Sequence, residues 1–179
     1  MKTWGRLWPC AALCLLAAPA VRAGDCTPAA IRRALDEDHP AGLTRVADVP
    51  AAVLDEFWRA YGGTDPDHRI ADRGQPFQES DVVVDELPRR RLIVAAASAR
   101  AAFLVYEKGG RALTRHLFAV CLADGKAGGS FSALRAPSTF ERAALSEALR
   151  DGCVVSPPRE HALPGDATRC PPPPAPAAP

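Results

Sequence analysis

Three apolar stretches joined by short turns, at residues 91–97, 101–107 and 111–122, constrain the fold of this chain most strongly. They are rich in Val, Ile, Leu and aromatic side chains, which favour strands. The turn at 108–110 contains two glycines, which accept the backbone conformations that tight hairpins require. Consecutive strands with such short connections predict an antiparallel meander, and we expect it to form the core of the fold.

Helical patterns lie on both sides of this meander. Thr27 and Pro28 predict the start of a helix over 27–38, and an aromatic face predicts a second helix over 49–61. Ser138 and Glu141 match a capping box, which predicts a late helix that ends at Gly152. Residues 81–87 and 131–134 are weaker strand candidates, and 62–80 reads as a loop. The predicted fold class is α+β: an antiparallel sheet of three to five strands with two N-terminal helices and one late helix packed on it.

The first 23 residues have the order of a secretory signal peptide. Lys2 and Arg6 precede 14 residues without a charge, and Val21-Arg22-Ala23 supplies a small-residue cleavage site. The apolar run is shorter than the roughly 20 residues that span a bilayer. We therefore expect a periplasmic or secreted protein whose mature chain is not inserted in the membrane. Cleavage would leave 19 basic and 21 acidic residues, and this balance gives no reason to expect nucleic acid as a partner.

Four cysteines remain after such cleavage, and an even number in an exported chain predicts two disulfides. The pairing that we favour joins Cys121 to Cys153 and Cys26 to Cys170, because the late helix is expected to return alongside the third strand. The alternative joins Cys26 to Cys121 and Cys153 to Cys170. In either case residues 24–170 form a single disulfide-stapled domain, followed by a Pro-rich disordered tail at 171–179.

No recognised catalytic motif accompanies this framework. The cysteines lack the CxxC spacing of redox or zinc sites, and no HExxH, SxxK or Gly-rich phosphate loop is present. His116 lies within a predicted strand beside Tyr106 of the neighbouring strand, so the two could line a cleft with His116 as general base. A half-buried structural histidine is the simpler interpretation, because no nucleophile motif accompanies it.

Two charged segments are further candidates. The basic run Arg89-Arg90-Arg91 precedes the first strand of the meander and could bind a phosphate or a partner's carboxylates. It could equally protect a strand edge from aggregation. Asp and His residues at 65–72 could bind calcium, but their spacing matches no EF-hand, so we expect a solvated loop with neither metal nor cofactor.

These observations favour a small exported protein without enzymatic activity that binds a protein or another cell-envelope component through its sheet face or edge. A hydrolase-like periplasmic enzyme that uses His116 is the alternative. An exposed apolar patch or a free strand edge would favour the binding protein, whereas a concave pocket with His116 at its base would favour the enzyme.

Overall fold

The most apolar strand of the sequence, Ala101–Lys108, lies inside a six-stranded sheet with neighbours on both sides. The structure is a computed structural model and describes residues 26–61, 68–82, 84–134, 141–150 and 153–160. The helices are α1 (Pro28–Asp38), α2 (Ala51–Tyr61) and α3 (Arg142–Ala148). The strands are β1 (Ile70–Ala71), β2 (Arg90–Ala97), β3 (Ala101–Lys108), β4 (Thr114–Ala123), β5 (Lys126–Ala133) and β6 (Val154–Val155), and they are adjacent in chain order.

The α+β class and the antiparallel meander of β2, β3 and β4 are confirmed, but the sheet is larger than predicted and mixed. The two-residue strand β1 pairs parallel with β2, and β6 pairs antiparallel with β5. Strands of two residues are too short to show the alternation of apolar and polar side chains by which a strand is predicted from sequence. The expected edge strand at 81–87 is not formed by its described residues, which are bends and turns around Val84–Leu87.

Helices cover both faces of the sheet because the central strand is apolar on both. Phe103 and Val105 of β3 face α1 and α3, where they join Ile31, Leu35 and Leu149 in one core. On the opposite side, which we call the α2 face, a second core contains the following buried residues of α2 and the sheet: Val53, Phe57, Tyr61, Leu92, Leu104, Tyr106, Phe118 and Val120. Alternate side chains of β4 also enter different cores: Leu117 and Ala119 the first, Phe118 and Val120 the second.

The local sequence signals explain where α1 begins but not where α3 begins. Thr27 is the N-cap of α1 and its hydroxyl accepts a hydrogen bond from the Ala30 amide at 3.1 Å, as predicted. In α3 the predicted cap is wrong: Glu141 occupies the N-cap position instead of N3, and its side chain makes no capping bond. Ser138 and Gly152, the expected ends of that helix, lie outside the described residues.

A disulfide joins Cys26 to Cys121, with 5.7 Å between the two Cα atoms, and corrects the pairing that we favoured. Cys26 lies two residues before the first residue of α1, and α1 packs on β3 and β4, so Cys26 is close to Cys121 of β4. Cys153 is also disulfide-bonded. Cys170, the segment 1–23 and the tail 171–179 lie outside the described residues.

Within the described ranges, the helices are all too short to cross a membrane.

Candidate functional site

Polar side chains gather at one end of the sheet, where β2 begins, β3 ends and β4 begins. The strand register places Arg90 opposite Lys108, Lys108 opposite Thr114, and Tyr106 opposite His116. Because side chains alternate along a strand, all five point to the α2 face. We call this region, defined by these five residues, the charged end.

Arg90 is buried at the charged end, which corrects its prediction as a binding residue. Its side chain is 0% exposed, and its Nε donates to Glu160 Oε1 at 2.7 Å. The guanidinium carbon lies 5.5 Å from the centre of the Trp58 ring and 5.7 Å from that of Phe57. Ion pairing and aromatic contact compensate for the loss of water around this cation.

Glu160 is the central acceptor of this cluster. Besides Arg90, its carboxylate accepts a hydrogen bond from the Tyr106 hydroxyl at 3.0 Å and forms an ion pair with Lys108. Burial by itself would raise the pKa of Glu160, but the hydrogen bonds and charges of Arg90 and Lys108 outweigh it and lower that pKa to about 2. The carboxylate is therefore charged at neutral pH.

The segment after α3 brings Glu160 into this position. Val154 and Val155 pair with β5, and the Ser156–Pro157 peptide bond is cis. The Ser132 hydroxyl then donates to the Arg159 carbonyl and accepts from the Arg159 amide, both at 2.9 Å. These bonds fix the backbone immediately before Glu160.

His116 and Tyr106 lie together, as their predicted strand positions implied. Their rings stack with centroids 5.2 Å apart, and His116 Nε2 is 2.8 Å from the Thr114 hydroxyl oxygen. His116 is half-buried, whereas Tyr106 is fully buried. Burial raises the pKa of Tyr106 well above its usual value, so its hydroxyl stays protonated and donates to Glu160.

Arg91 points to the opposite face, where it belongs to a row of alternating charges across three strands. Its guanidinium binds Glu107 of β3 at 2.8 Å, and Glu107 also accepts from Arg115 of β4 at 3.4 Å. Arg91 further contacts Glu79 and lies 4.2 Å from the centre of the Phe77 ring. These contacts indicate that Arg91 anchors the segment before β2 to the sheet.

Arg89 is the exposed member of the basic run, and it lines a groove of about 550 Å³. The described residues between Gln78 and Arg89 form one wall and the β3–β4 turn forms the other, so that Arg111 also borders the groove. Asp81 and Asp85 line it as well. His116 lines neither this groove nor the smaller cavity described below.

Gln78 fixes the shape of one wall of the groove, and Gly109 joins that wall to the other. The Gln78 side chain accepts from the Val84 amide at 2.9 Å and donates to the Ser80 carbonyl at 2.7 Å. The Gly109 amide donates to the Arg89 carbonyl at 3.0 Å. A Cβ atom at Gly109 would lie 1.4 Å from the Gln78 carbonyl oxygen, so only glycine allows this approach of the two walls.

A second cavity, of about 200 Å³, lies between α1, α3 and the sheet. Leu35, Phe103 and Leu149 form its apolar lining, and Arg32 and Asp36 lie beside them. It is smaller than the 300–1,000 Å³ typical of ligand pockets.

The acidic segment at 65–72 shows no metal site in its described part. His68 stacks on Trp58 with ring centroids 5.0 Å apart, and Asp72 accepts a hydrogen bond from the Val46 amide at 2.6 Å. Asp65 and Asp67 lie outside the described residues. Among the residues that are described, no three His, Cys, Asp or Glu side chains are grouped closely enough to hold a metal ion.

Comparison of the chain with protein-family models, curated proteins and solved structures finds no match. We therefore infer the function of the protein from its own residues. Glu160 and Arg111 were not anticipated as members of a site. Glu160 follows a Pro-rich stretch without periodicity, and Arg111 meets Arg89 only because β3 and β4 form a hairpin whose turn lies beside residues 78–89.

Proposed function

We propose that this chain is a small exported, non-enzymatic binding protein, and that it binds a protein of the cell envelope or its surroundings through residues 78–89 and 108–113. We call these two segments the loop–turn surface. The observation that carries the proposal is the position of the exposed apolar side chains. Val82, Val84 and Leu113, which are 68%, 41% and 52% exposed, all belong to this surface.

Grouping distinguishes these residues from ordinary surface hydrophobics. Single exposed apolar side chains are common, whereas several on one surface indicate an interaction site. Val84 and Arg111 line the same groove, which places the two segments side by side, and Leu113 lies two residues after Arg111, just before β4. In the described part of the chain, these are the large hydrophobic residues that remain exposed.

The loop–turn surface is also held in one shape, although its described residues lie outside the strands and helices except for Lys108, the last residue of β3. The Gln78 side chain accepts a hydrogen bond from the Val84 amide in the same loop. Arg69 donates to the carbonyls of Asp85 and Glu86, both at 2.8 Å. Gly109 joins the turn to the loop. A surface that is ordered before binding loses less conformational entropy when a partner docks, which supports recognition of a folded protein.

Export is the second part of the proposal. It rests on the signal-like order of residues 1–23 and on the even number of cysteines that cleavage would leave. The Cys26–Cys121 disulfide supports it, since disulfides persist in oxidising compartments.

The test is a comparison of binding partners between matched variants. The chain is exported, purified with its disulfides intact and immobilised, and envelope proteins retained by the wild type are identified and titrated. We expect Val82→Asp and Leu113→Asp to weaken retention of the specific partner at least about tenfold, because each places a charge in the apolar contact.

Ala99→Asp is the control, since it adds the same charge at the exposed β2–β3 turn on the opposite end of the sheet. Equal retention by wild type and both surface variants would contradict the assignment of this surface. A fully cytoplasmic, reduced protein in its native host would contradict export.

A further inference from the structure

We propose that the groove beside Arg89 and Arg111 binds a partner segment that carries charges of both signs, a carboxylate together with an ammonium or guanidinium group. This inference deepens the proposed function, because it names the chemistry of the partner at one part of the loop–turn surface. It depends on which charges in the groove are already neutralised and which are left for a ligand.

Two of the groove's cations are already engaged within the protein. Lys108 pairs with the buried Glu160, and Arg69 donates its guanidinium hydrogens to the carbonyls of Asp85 and Glu86. Both residues therefore belong to the frame of the groove.

Four exposed charges have no such role. In the described part of the chain, the side chains of Arg89, Arg111, Asp81 and Asp85 form no hydrogen bond or ion pair, although all four line the same groove. The two guanidiniums and two carboxylates are thus not paired with one another. Since the described residues engage none of the four, each can pair with an incoming group of opposite charge.

This distribution selects the ligand by exclusion as well as by attraction. A polyanion attracted by the two arginines would be repelled by Asp81 and Asp85. A polycation attracted by the two aspartates would be repelled by Arg89 and Arg111. A segment that carries both charges can place its carboxylate beside the two arginines and its cation beside the two aspartates. The groove volume of about 550 Å³ lies within the range of ligand pockets and accommodates more than one side chain.

The test titrates the oxidised full chain with capped glycine-based peptides by NMR or calorimetry. One series carries a glutamate and a lysine separated by one to three glycines. Two companion series replace the glutamate or the lysine with glutamine. We expect the best doubly charged peptide to bind at least about threefold more tightly than either companion, because each companion lacks one charge-assisted contact and contacts between exposed charges are weakened by water.

Matched variants locate the binding. Arg89→Gln and Arg111→Gln should reduce binding of the doubly charged peptide to the level of the glutamate-free companion, and Asp81→Asn and Asp85→Asn to that of the lysine-free one. Arg33→Gln and Asp55→Asn make the same changes at exposed positions on α1 and α2 and should have no effect.

The outcomes separate this inference from the proposed function. Failure of every peptide to bind, equal binding of the doubly charged peptide and either singly charged companion, or unchanged binding of the doubly charged peptide after Asp81→Asn would overturn the groove's assignment. Loss of the partner in Val82→Asp would still support the loop–turn surface in each of those cases. Conversely, peptide binding with unchanged partner retention in Val82→Asp would overturn the apolar contact alone.

Discussion

Arg90 and Glu160 form an ion pair that is almost completely shielded from water, although 70 residues separate them in the chain. Their side chains are 0% and 3% exposed, and Arg90 Nε lies 2.7 Å from Glu160 Oε1. The pair attaches the segment after α3 to the first residue of β2. It also connects, through Lys108, to the groove at the charged end. Four measurements follow from these and related contacts.

Glu160→Gln is expected to lower the free energy of unfolding by about 3 kcal/mol, because it leaves the buried Arg90 cation without its counter-ion. Urea denaturation of the oxidised protein would measure the loss. Glu147→Gln is the control, since Glu147 pairs with Arg150 where both side chains are about a third exposed, and such pairs contribute at most about 1 kcal/mol. Similar losses in the two variants would show that the Arg90–Glu160 pair does not stabilise the fold as described.

Stability should also fall in acid because of the same carboxylate. The pKa of Glu160 is lowered in the folded protein from 4.5 to about 2, so its contribution is fully present above pH 4.5 and is lost as pH falls towards 2. The difference between these pKa values corresponds to about 3 kcal/mol. The stability difference between wild type and Glu160→Gln, followed by denaturation from pH 7 to pH 2, should shrink in this window. A difference that stays constant across the window would contradict the pKa assignment.

Gly109→Ala should destabilise the protein by about 2 kcal/mol or more, because the added methyl group overlaps the Gln78 carbonyl and forces the backbone to move. The variant should also alter NMR shifts in residues 78–89. Gly128→Ala provides the control: its Cβ would come no closer than 4.0 Å to the Cys121 carbonyl oxygen, and alanine is tolerated in a strand. If both variants melt at the wild-type temperature, the close contact between turn and loop is wrong.

Removal of the Cys26–Cys121 disulfide should lower the free energy of unfolding by about 4 kcal/mol. The disulfide joins residues 95 positions apart, and a crosslink that closes a long loop removes much conformational entropy from the unfolded chain. The double variant Cys26→Ala with Cys121→Ala would be compared with the wild type by thermal and urea denaturation. Peptide mapping without reduction checks the pairing directly. A disulfide-linked peptide that contains Cys121 and Cys153 would contradict the Cys26–Cys121 pairing.

Local patterns in the sequence were sufficient to predict α1, α2 and the central strands, but not the start of α3. Thr27 and Pro28 mark the start of α1, and the spacing of Val53, Phe57 and Tyr61 marks the buried face of α2. The glycines at 109–110 mark the β3–β4 turn. Each of these signals lies within a few residues of the structure it determines, which is why it can be read without knowledge of the rest of the chain.

The candidate site could not be read in the same way. Arg89, Arg90 and Arg91 are identical in type and consecutive, yet one is exposed, one is fully buried and one is half-buried. Because side chains alternate along β2, Arg90 and Arg91 point to opposite faces of the sheet. Arg90 forms an ion pair with Glu160, and Arg91 forms one with Glu107. Their roles depend on partners that are distant in sequence.

The amino-acid sequence by itself determined the α+β class, the meander and the positions of α1 and α2, because backbone propensity and apolar periodicity act over neighbouring residues. Only the tertiary structure decided that Cys26 pairs with Cys121, that Glu160 neutralises Arg90, and that the Arg89 and Arg111 side chains border one groove. Those outcomes depend on which distant segments the sheet brings within hydrogen-bonding or covalent reach, and burial then makes an ion pair between two such segments strong enough to matter.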